Sequence, residues 1–471
     1  RCRRQVSMTE RPRGKRQAPE MPNDELLAQA TEVLSHIRAT FIDGSSRAVV
    51  GQAGAGAGKT GVVTAATGAA VDAGLQIAVT APTNEQVWDL ARRLTADFPN
   101  ADVALLHATS ADARPPADVV ARVARATSTA ADARHHQVVV ATNDKFAYSR
   151  DDVGTFDRLV LDEAYQSDSI RYQCVAGLAD VHLLLGDAGQ LKPWSTEDLT
   201  RWRGLPEDPL LTTVGVLLIN HPDVEVVTLP LTRRLSPSAV AVVQPAFYGP
   251  DLVFGAATLE GERELTLPTA GLRRSVGGVV RVVDAAVERA AAHGWAHVVL
   301  PPRPTLSTDV EMVETITAIT NRLFVRGATV RDERIPEPRP LAQNRVAVAV
   351  SHRDQRAAMR VALNVAGLSE VHVDTANKLQ GLEFDVVVVW HPLAGLVDVD
   401  DFHLDPGRAC VMLTRHRQAC IVVGRASDLE MVRFQPPTTP AYLGHHPDPI
   451  LDGWQAHRHV FEQLDEHAIE V

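Results

Sequence analysis

The sequence predicts an α/β chain with two parallel-sheet domains in tandem and small insertions, and three observations carry that prediction. From about residue 23 onward, short β-branched and aliphatic runs alternate with stretches of helical character, the pattern of strands joined by helical crossovers. The runs fall into two series of similar size, the second beginning near residue 224. At 471 residues and 45% apolar content, the chain is long enough to bury more than one core.

The first series reads "RAVV" (47–50), "LQIAV" (75–79), "QVVVA" (137–141), "DRLVL" (157–161) and "VHLLL" (181–185). The second reads "VEVVTL" (224–229), "AHVVL" (296–300), "RVAVAV" (345–350), "EVHV" (370–373), "DVVVV" (385–389) and "CIVV" (420–423). The expected divisions are a first domain over 23–225, a second over 226–430 and a C-terminal extension over 431–471 with one helix, "WQAHRHVFEQL". The polar, Ala-rich stretch at about 101–136 reads as a small helical insertion. Residues 1–22 carry seven Arg or Lys in the first sixteen positions and no apolar periodicity, which predicts a disordered basic tail.

Composition narrows the function classes. A net charge of -11 argues against coating nucleic acid with the whole surface, so such binding must run through a local groove. No apolar run approaches the ~20 residues of a membrane span, and the basic N-terminus lacks the apolar core of a signal peptide, which predicts a cytoplasmic protein with no membrane partner. The four cysteines are scattered, without the spacing of a disulfide framework or a zinc site, so no structural metal is expected. Basic residues are overwhelmingly Arg; only Lys15, Lys59, Lys145, Lys192 and Lys378 are lysines, which draws attention to Lys59.

Lys59 belongs to "AGAGAGKT" (53–60), which follows the strand "RAVV" and opens a helix. That is the context of a phosphate-binding loop. Small residues, Gly54, Gly56 and Gly58 among them, let backbone N–H groups wrap phosphates; Lys59 reaches the terminal phosphates and Thr60 holds Mg²⁺. Ala53 in place of the usual first Gly leaves all three devices intact. A second strand ends in Asp162 and Glu163 ("LVLDEAYQ"), at the sheet edge where parallel sheets bind ligands: Asp162 is placed to reach the metal and Glu163 to polarise an attacking water. A third strand ends in "GDAGQLKPW", whose Gln190 can sense a terminal phosphate without adding charge.

These stretches resemble motifs I ("AGAGAGKT"), Ia ("TAPTN", 80–84), II ("DEAYQ") and III ("GDAGQLKP") of superfamily 1 helicases. In the second half, "LTRRLSP" before "AFYG" (231–249) resembles the arginine motif of the nonsense-mediated-decay-type group, superfamily 1B, with Arg233 in place of the usual Tyr. "VAVAVSHRDQ" (346–355) resembles a further segment of that group, with Ser351-His352 for Pro-Tyr; "VDTANKLQGLEF" resembles motif V and "VMLTRHRQ" motif VI. The resemblance implies two RecA-like domains facing each other across ATP and Mg²⁺. It implies Arg234 and Arg415 as phosphate-contacting arginines, Gln380 and Gly381 as the Gln-Gly of motif V, and Glu383 as the carboxylate that holds the ribose.

It further implies an ATP-dependent translocase or helicase on single-stranded nucleic acid, DNA before RNA, moving 5′ to 3′. Sequence-independent backbone contacts fall to Pro82, Thr83 and Asn84 of motif Ia, Thr142 and Thr375. Trp194, and Phe146 or Tyr148, are the candidates for stacking bases, with Lys145 and Lys192 as phosphate contacts. His135-His136 and His445-His446 read as solvated loop residues. The second reading is a nucleic-acid-stimulated switch, a helicase-like subunit that signals to a protein partner such as a nuclease and unwinds little by itself.

Overall fold

In the computed structural model, which describes residues 23–434 and 453–471 apart from 196, 203–204, 206–207, 251, 269–276 and 306–307, the aliphatic runs become the central strands of two parallel sheets. Numbered in chain order, the first sheet holds β1 (Ala48–Ala53), β2 (Ile77–Ala81), β3 (Val103–Leu106), β4 (Arg125–Thr127), β5 (Val138–Thr142), β6 (Arg158–Leu161), β7 (His182–Asp187) and β8 (Glu225–Leu229). Their order across the sheet is β4-β3-β5-β2-β6-β7-β1-β8, every neighbouring pair parallel. The central strands are buried on both faces, which is why they read as continuous aliphatic runs rather than as alternating ones.

The second sheet holds β9 (Trp295–Leu300), β10 (Val346–Val350), β11 (His372–Thr375), β12 (Phe384–Trp390), β13 (His416–Arg425) and β14 (Ala468–Glu470), in the order β11-β10-β12-β13-β9-β14, again all parallel. A small antiparallel sheet, Glu264–Thr266 with Thr329–Arg331 and Arg339–Pro340, sits beside it. Two parallel sheets with crossover helices give the α/β, tandem RecA-like architecture expected from the sequence.

Three details differ from the sequence reading. "VEVVTL" does not begin the second sheet: as β8 it pairs with β1 and closes the first. Its exposed first residues and its place at an edge leave it without the double-sided burial that marks the central strands. The 101–136 stretch is not simply helical, since β3 and β4 extend the first sheet by two strands between short helical turns. At the other end, helix Gly453–Leu464 is present where expected, but it leads into β14, a three-residue edge strand too short to leave a pattern. Residues 1–22 and His445-His446 lie outside the described residues. Among the described residues no helix is long and apolar enough to cross a membrane.

Each sheet has an apolar layer on both faces, Val49, Val79, Val140 and Val160 on one side of the first and Val50, Val139, Leu159 and Leu161 on the other. Helix Asn23–Asp43 covers the first sheet with Ile37 and Phe41, both fully buried. One layer of the second sheet does not stop at the domain edge. It runs from Val387 and Val422 through Leu235, Phe247, Tyr248 and Phe254 to Ala55 and Leu191 of the first half. The seam between the halves is therefore packed, and it lies over the carboxyl ends of β1 and β7.

Candidate nucleotide site at the seam of the two sheets

The phosphate loop joins β1 to helix Lys59–Asp72. Gly56 and Gly58 have φ of 75° and 86°, left-handed values that strain any residue with a Cβ. Space is restricted as well, because a Cβ on Gly56 would stand 2.3 Å from the Cβ of Arg234. Gly54 lies against the Phe254 ring. Ala53 ends β1, fully buried and in register with Asp187, so its methyl group is accommodated in the core rather than in the loop's concavity.

Register brings the chemistry to one edge. β1 and β7 end in register at Ala53 and Asp187, β6 stops earlier opposite Leu184, and the turn after it brings Asp162 and Glu163 to Lys59 and Asp187. The Lys59 ammonium is buried 3.6 Å from Glu163 Oε1 and 3.8 Å from Asp187 Oδ2. Burial works against its charge, but Glu163, Asp187 and Asp162 together leave its pKa above the ordinary lysine value. Asp162 is 5% exposed; burial and then the Glu163 charge lift its carboxyl to about 7, with Lys59 opposing. Asp187 is raised in the same direction, burial again leading. Glu163 has a φ of 55°, and among the described residues no other non-glycine has positive φ. Such a held conformation at a strand end fits a side chain aimed for chemistry. Its Oε2 is buried without a hydrogen-bond partner among the described residues.

The second half reaches the same place. Thr232 donates to the Ala55 carbonyl at 2.6 Å and the Arg233 N–H donates to the Gly56 carbonyl at 2.8 Å, so the arginine segment is hydrogen-bonded directly to the phosphate loop. The Tyr248 hydroxyl accepts from the Ala55 N–H at 2.9 Å and donates to Asp187 at 3.3 Å, with Cys410 Sγ also 3.3 Å away. Gln190 donates to Asp187 and accepts from Gln380 at 3.4 Å, joining the segments that resemble motifs III and V. Arg234 stands 3.4 Å from Glu383, close enough to Lys59 for the two charges to repel. Arg415 is 1% exposed and bonded to Val411 and Thr414. Burial, then the nearby Arg234, bring its pKa down to about 10, while Asp187 supports its charge.

Thus Lys59, Asp162, Glu163, Gln190, Arg234 and Arg415 share one seam, with Thr60 on the first turn of the loop's helix. Glu383 is held by arginines, Arg234, Arg417 at 3.1 Å and Arg334 at 3.8 Å. Burial opposes its charge, yet these guanidinium groups keep its carboxyl below the usual range. Gly381, with a φ of 80°, forms the turn before it.

Of the nucleic-acid candidates, Thr83 and Thr142 each cap a helix with the side-chain oxygen, Thr83 in a capping box with Gln86, whereas Thr375 starts a four-residue helix without such a bond. Trp194 is 70% and Tyr148 92% exposed. Phe146 is not available for stacking: it is fully buried, edge-on to Phe156 at 6.3 Å, because the turn after Thr142 rotates it into the core. Lys145 donates to the Ser128 carbonyl at 2.9 Å. His136 is paired with Asp102 at 2.8 Å. The sequence reading did not include Asp187 and Tyr248 among its site residues, although both lie inside quoted stretches. Asp187 occupies the strand-end position that singled out Asp162.

Residues 31–179 match the DEAD/DEAH box helicase family and residues 223–427 match an AAA domain family. No curated protein matches the sequence. Among solved structures the chain is similar to the PRRSV helicase, at 14% identity and a TM-score of 0.41 over 83% of this chain and 55% of that one. It is likewise similar to arterivirus nonstructural protein 10, a helicase solved in complex with DNA, at 13% identity and a TM-score of 0.41 over 83% and 63%. The chain therefore spans less than two thirds of the length of either. The DEAD/DEAH box helicase match thus spans the half that carries Lys59, Asp162 and Glu163, and the AAA domain match spans the half that carries Arg234 and Arg415.

Proposed function

We propose that the chain hydrolyses ATP with Mg²⁺ at this seam and uses the cycle to move 5′ to 3′ along single-stranded DNA, as the nonsense-mediated-decay-type branch of superfamily 1 does. The observation that carries the reading is the contact of the arginine segment with the phosphate loop, Thr232 on Ala55 and Arg233 on Gly56. One loop of each half is thereby fastened over the place a triphosphate would occupy.

The residues present fit the implied ligand. Glu163 Oε2, buried and unpartnered, is an acceptor suited to a water nucleophile, and Thr60 and Asp162 are hard oxygen donors of the kind that hold Mg²⁺. When bound, the metal supplies positive charge to the phosphate oxygens. Lys59 leaves Glu163 and Asp187 for the terminal phosphates, which frees Glu163 to accept a proton from the attacking water. Gln190, held by Asp187 and Gln380, orients at the terminal phosphate. Arg234 and Arg415 offer permanently charged, planar donors to the transferring group, and parting of the halves withdraws them. Gln380, Gly381 and Glu383 border the same space from the second half.

A cycle that opens and closes the seam moves a strand only if each half grips the backbone differently in the two states. Motif Ia, Thr142 and Thr375 lie at strand ends of the two sheets, and helix N-termini there are suited to phosphates without reading sequence. The test is hydrolysis measured with single-stranded DNA, single-stranded RNA and no polymer, for the wild type and Lys59→Ala, followed by strand displacement from duplexes with a 5′ or a 3′ overhang. Stimulation by DNA and opening only from the 5′ overhang support the proposal. Stimulation without opening of either duplex selects the switch that signals to a partner instead. Rates indifferent to every polymer overturn both.

A further inference from the structure

Arg263 lies outside every motif in the sequence, just before the first strand of the small antiparallel sheet. Its side chain is 2% exposed. The guanidinium donates to the backbone carbonyl of Arg234, and to that of Arg233 at 2.6 Å. Its Nε and Nη2 also reach the two oxygens of Glu333 at 2.8 and 2.9 Å. Pairing of Glu264 with Arg331 across the small sheet is what brings Arg263 and Glu333 together, so the sheet acts as their mount. The contacts continue: Glu333 accepts from Arg417 at 2.7 Å, Arg417 donates to Glu383 at 3.1 Å, and Glu383 stands 3.4 Å from Arg234. The ring closes on the segment where it began.

Two features indicate what the ring does. The arginine segment is fixed from opposite sides, its Arg233 N–H by the phosphate loop and its two carbonyls by Arg263. Bridging two carbonyls and a carboxylate requires the planar five-donor fork of arginine, which a lysine cannot reproduce. Glu383, meanwhile, serves three guanidinium groups. When Arg234 turns to a phosphate, Glu383 keeps Arg417 and Arg334, so the move leaves no partly buried carboxylate unpaired.

We propose that Arg263, backed by Glu333 and Arg417, is a positioning residue that sets the reach of Arg234 across the seam, and that Glu383 holds the Arg234 guanidinium until a triphosphate takes it. This rests on Arg234 being a phosphate-contacting arginine, and the test separates the two ideas. ATP hydrolysis with saturating single-stranded DNA is measured for full-length Arg263→Ala, Arg263→Lys, Glu333→Gln, Arg234→Ala and the double variant Arg263→Ala with Arg234→Ala.

The expected result is a kcat lowered about tenfold to a hundredfold by Arg263→Ala, with KM for ATP within about twofold, as misplacement of a transition-state group predicts. Arg263→Lys and Glu333→Gln fall in the same direction by about threefold to tenfold. Adding Arg263→Ala to Arg234→Ala costs nothing further, because the first acts through the second. If the two losses multiply, or if Arg263→Ala and Arg263→Lys leave kcat unchanged while Arg234→Ala abolishes it, the positioning role is overturned and the reading of Arg234 stands. If Arg234→Ala itself is inert, both fall. Should Arg263→Ala fail to fold, wild-type kcat in Arg263→Lys and Glu333→Gln overturns the proposal.

Discussion

The two faces of the seam carry opposite electrostatic excesses. On the first-sheet side one cation, Lys59, stands among Asp162, Glu163 and Asp187, and burial with mutual repulsion lifts Asp162 to about 7 and raises Asp187. On the second-sheet side Arg234, Arg415 and Arg417 gather, and burial with the Arg234 charge brings Arg415 down to about 10. Each face holds charge that its surroundings disfavour. A nucleotide with its cation is a ligand of mixed sign, phosphates for the arginines and metal for the carboxylates, and it relieves both faces together. Under the proposed function, binding energy is thereby tied to closure of the seam, which is the differential a motor or a switch needs.

The largest loss is expected from removal of the single cation on the acidic face. Lys59→Ala leaves three carboxylates facing one another and takes away the group proposed to meet the terminal phosphates. Hydrolysis, followed as phosphate release, is expected to fall by about a thousandfold or more, with nucleotide affinity reduced as well. On the opposite face, Arg415→Ala and Arg234→Ala are each expected to lower kcat by about a hundredfold while KM for ATP changes by no more than about threefold, if these groups act on the transferring phosphoryl as proposed. An equal division of kcat and KM effects between the two faces would show that the asymmetry has no mechanistic meaning.

How much of this was legible in the sequence follows the same division. The acidic face is built from residues at strand ends, and strand ends announce themselves: an aliphatic run followed by a Gly-rich loop or Asp-Glu marks Lys59 and Asp162, and the Gly-Asp that ends the third run carries the same signal for Asp187, which the sequence reading left out. The basic face depends on side chains brought together from distant segments. Arg234 and Arg415 were found through motif order, whereas Arg263, Glu333 and Arg417 meet through a small sheet whose strands are two or three residues long and carry no periodic signal. Tyr248 was visible in "AFYG", but nothing in the sequence says that its hydroxyl would meet a loop residue 193 positions away. β8 was assigned to the wrong sheet for a related reason, since partner choice at an edge is a tertiary matter.

Acid should separate the halves in a second, smaller way. Burial leads in lowering His297 and His457 to about 4, His416 to about 3 and His391 well below its ordinary value, all in the second half. As pH falls below 6.5, the unfolded chain takes up protons that these folded histidines refuse, so their contribution to stability is full above 6.5 and shrinks toward pH 4. Asp428, raised to about 7, offsets this in part: a folded carboxyl with a raised pKa gains stability as pH falls from 7 toward 3.8. In the first half the balance is reversed, with Asp162 and Asp187 raised and His182 lowered. Hydrogen exchange of the ligand-free chain, corrected for intrinsic rates, should show β12 and β13 losing at least about tenfold in protection between pH 7 and pH 5, since each histidine contributes up to about 1.4 kcal/mol per pH unit, while β1 and β7 lose less. His416→Gln should shrink the difference; greater loss in β1 and β7 would reverse it.

The mildest test concerns a residue that belongs to one half but responds to both. Trp194 is 70% exposed on the loop after Gln190. That loop is tied to the second half, because Gln190 meets Gln380 and its carbonyl lies where a Cβ on Gly407 would stand 2.7 Å away. A base stacked on Trp194 would therefore be gripped in step with the seam. Trp194→Ala is expected to cost about 1 kcal/mol, close to fivefold in affinity for a labelled single-stranded oligonucleotide, at the low end of what one stacked base provides. The discriminating quantity is the ratio of affinities with and without a non-hydrolysable ATP analogue. If Trp194 grips in only one state of the seam, the ratio moves toward one in Trp194→Ala; if both affinities fall by the same factor, Trp194 is a constant contact and the coupling to the nucleotide runs through the backbone contacts at motif Ia and Thr375 instead.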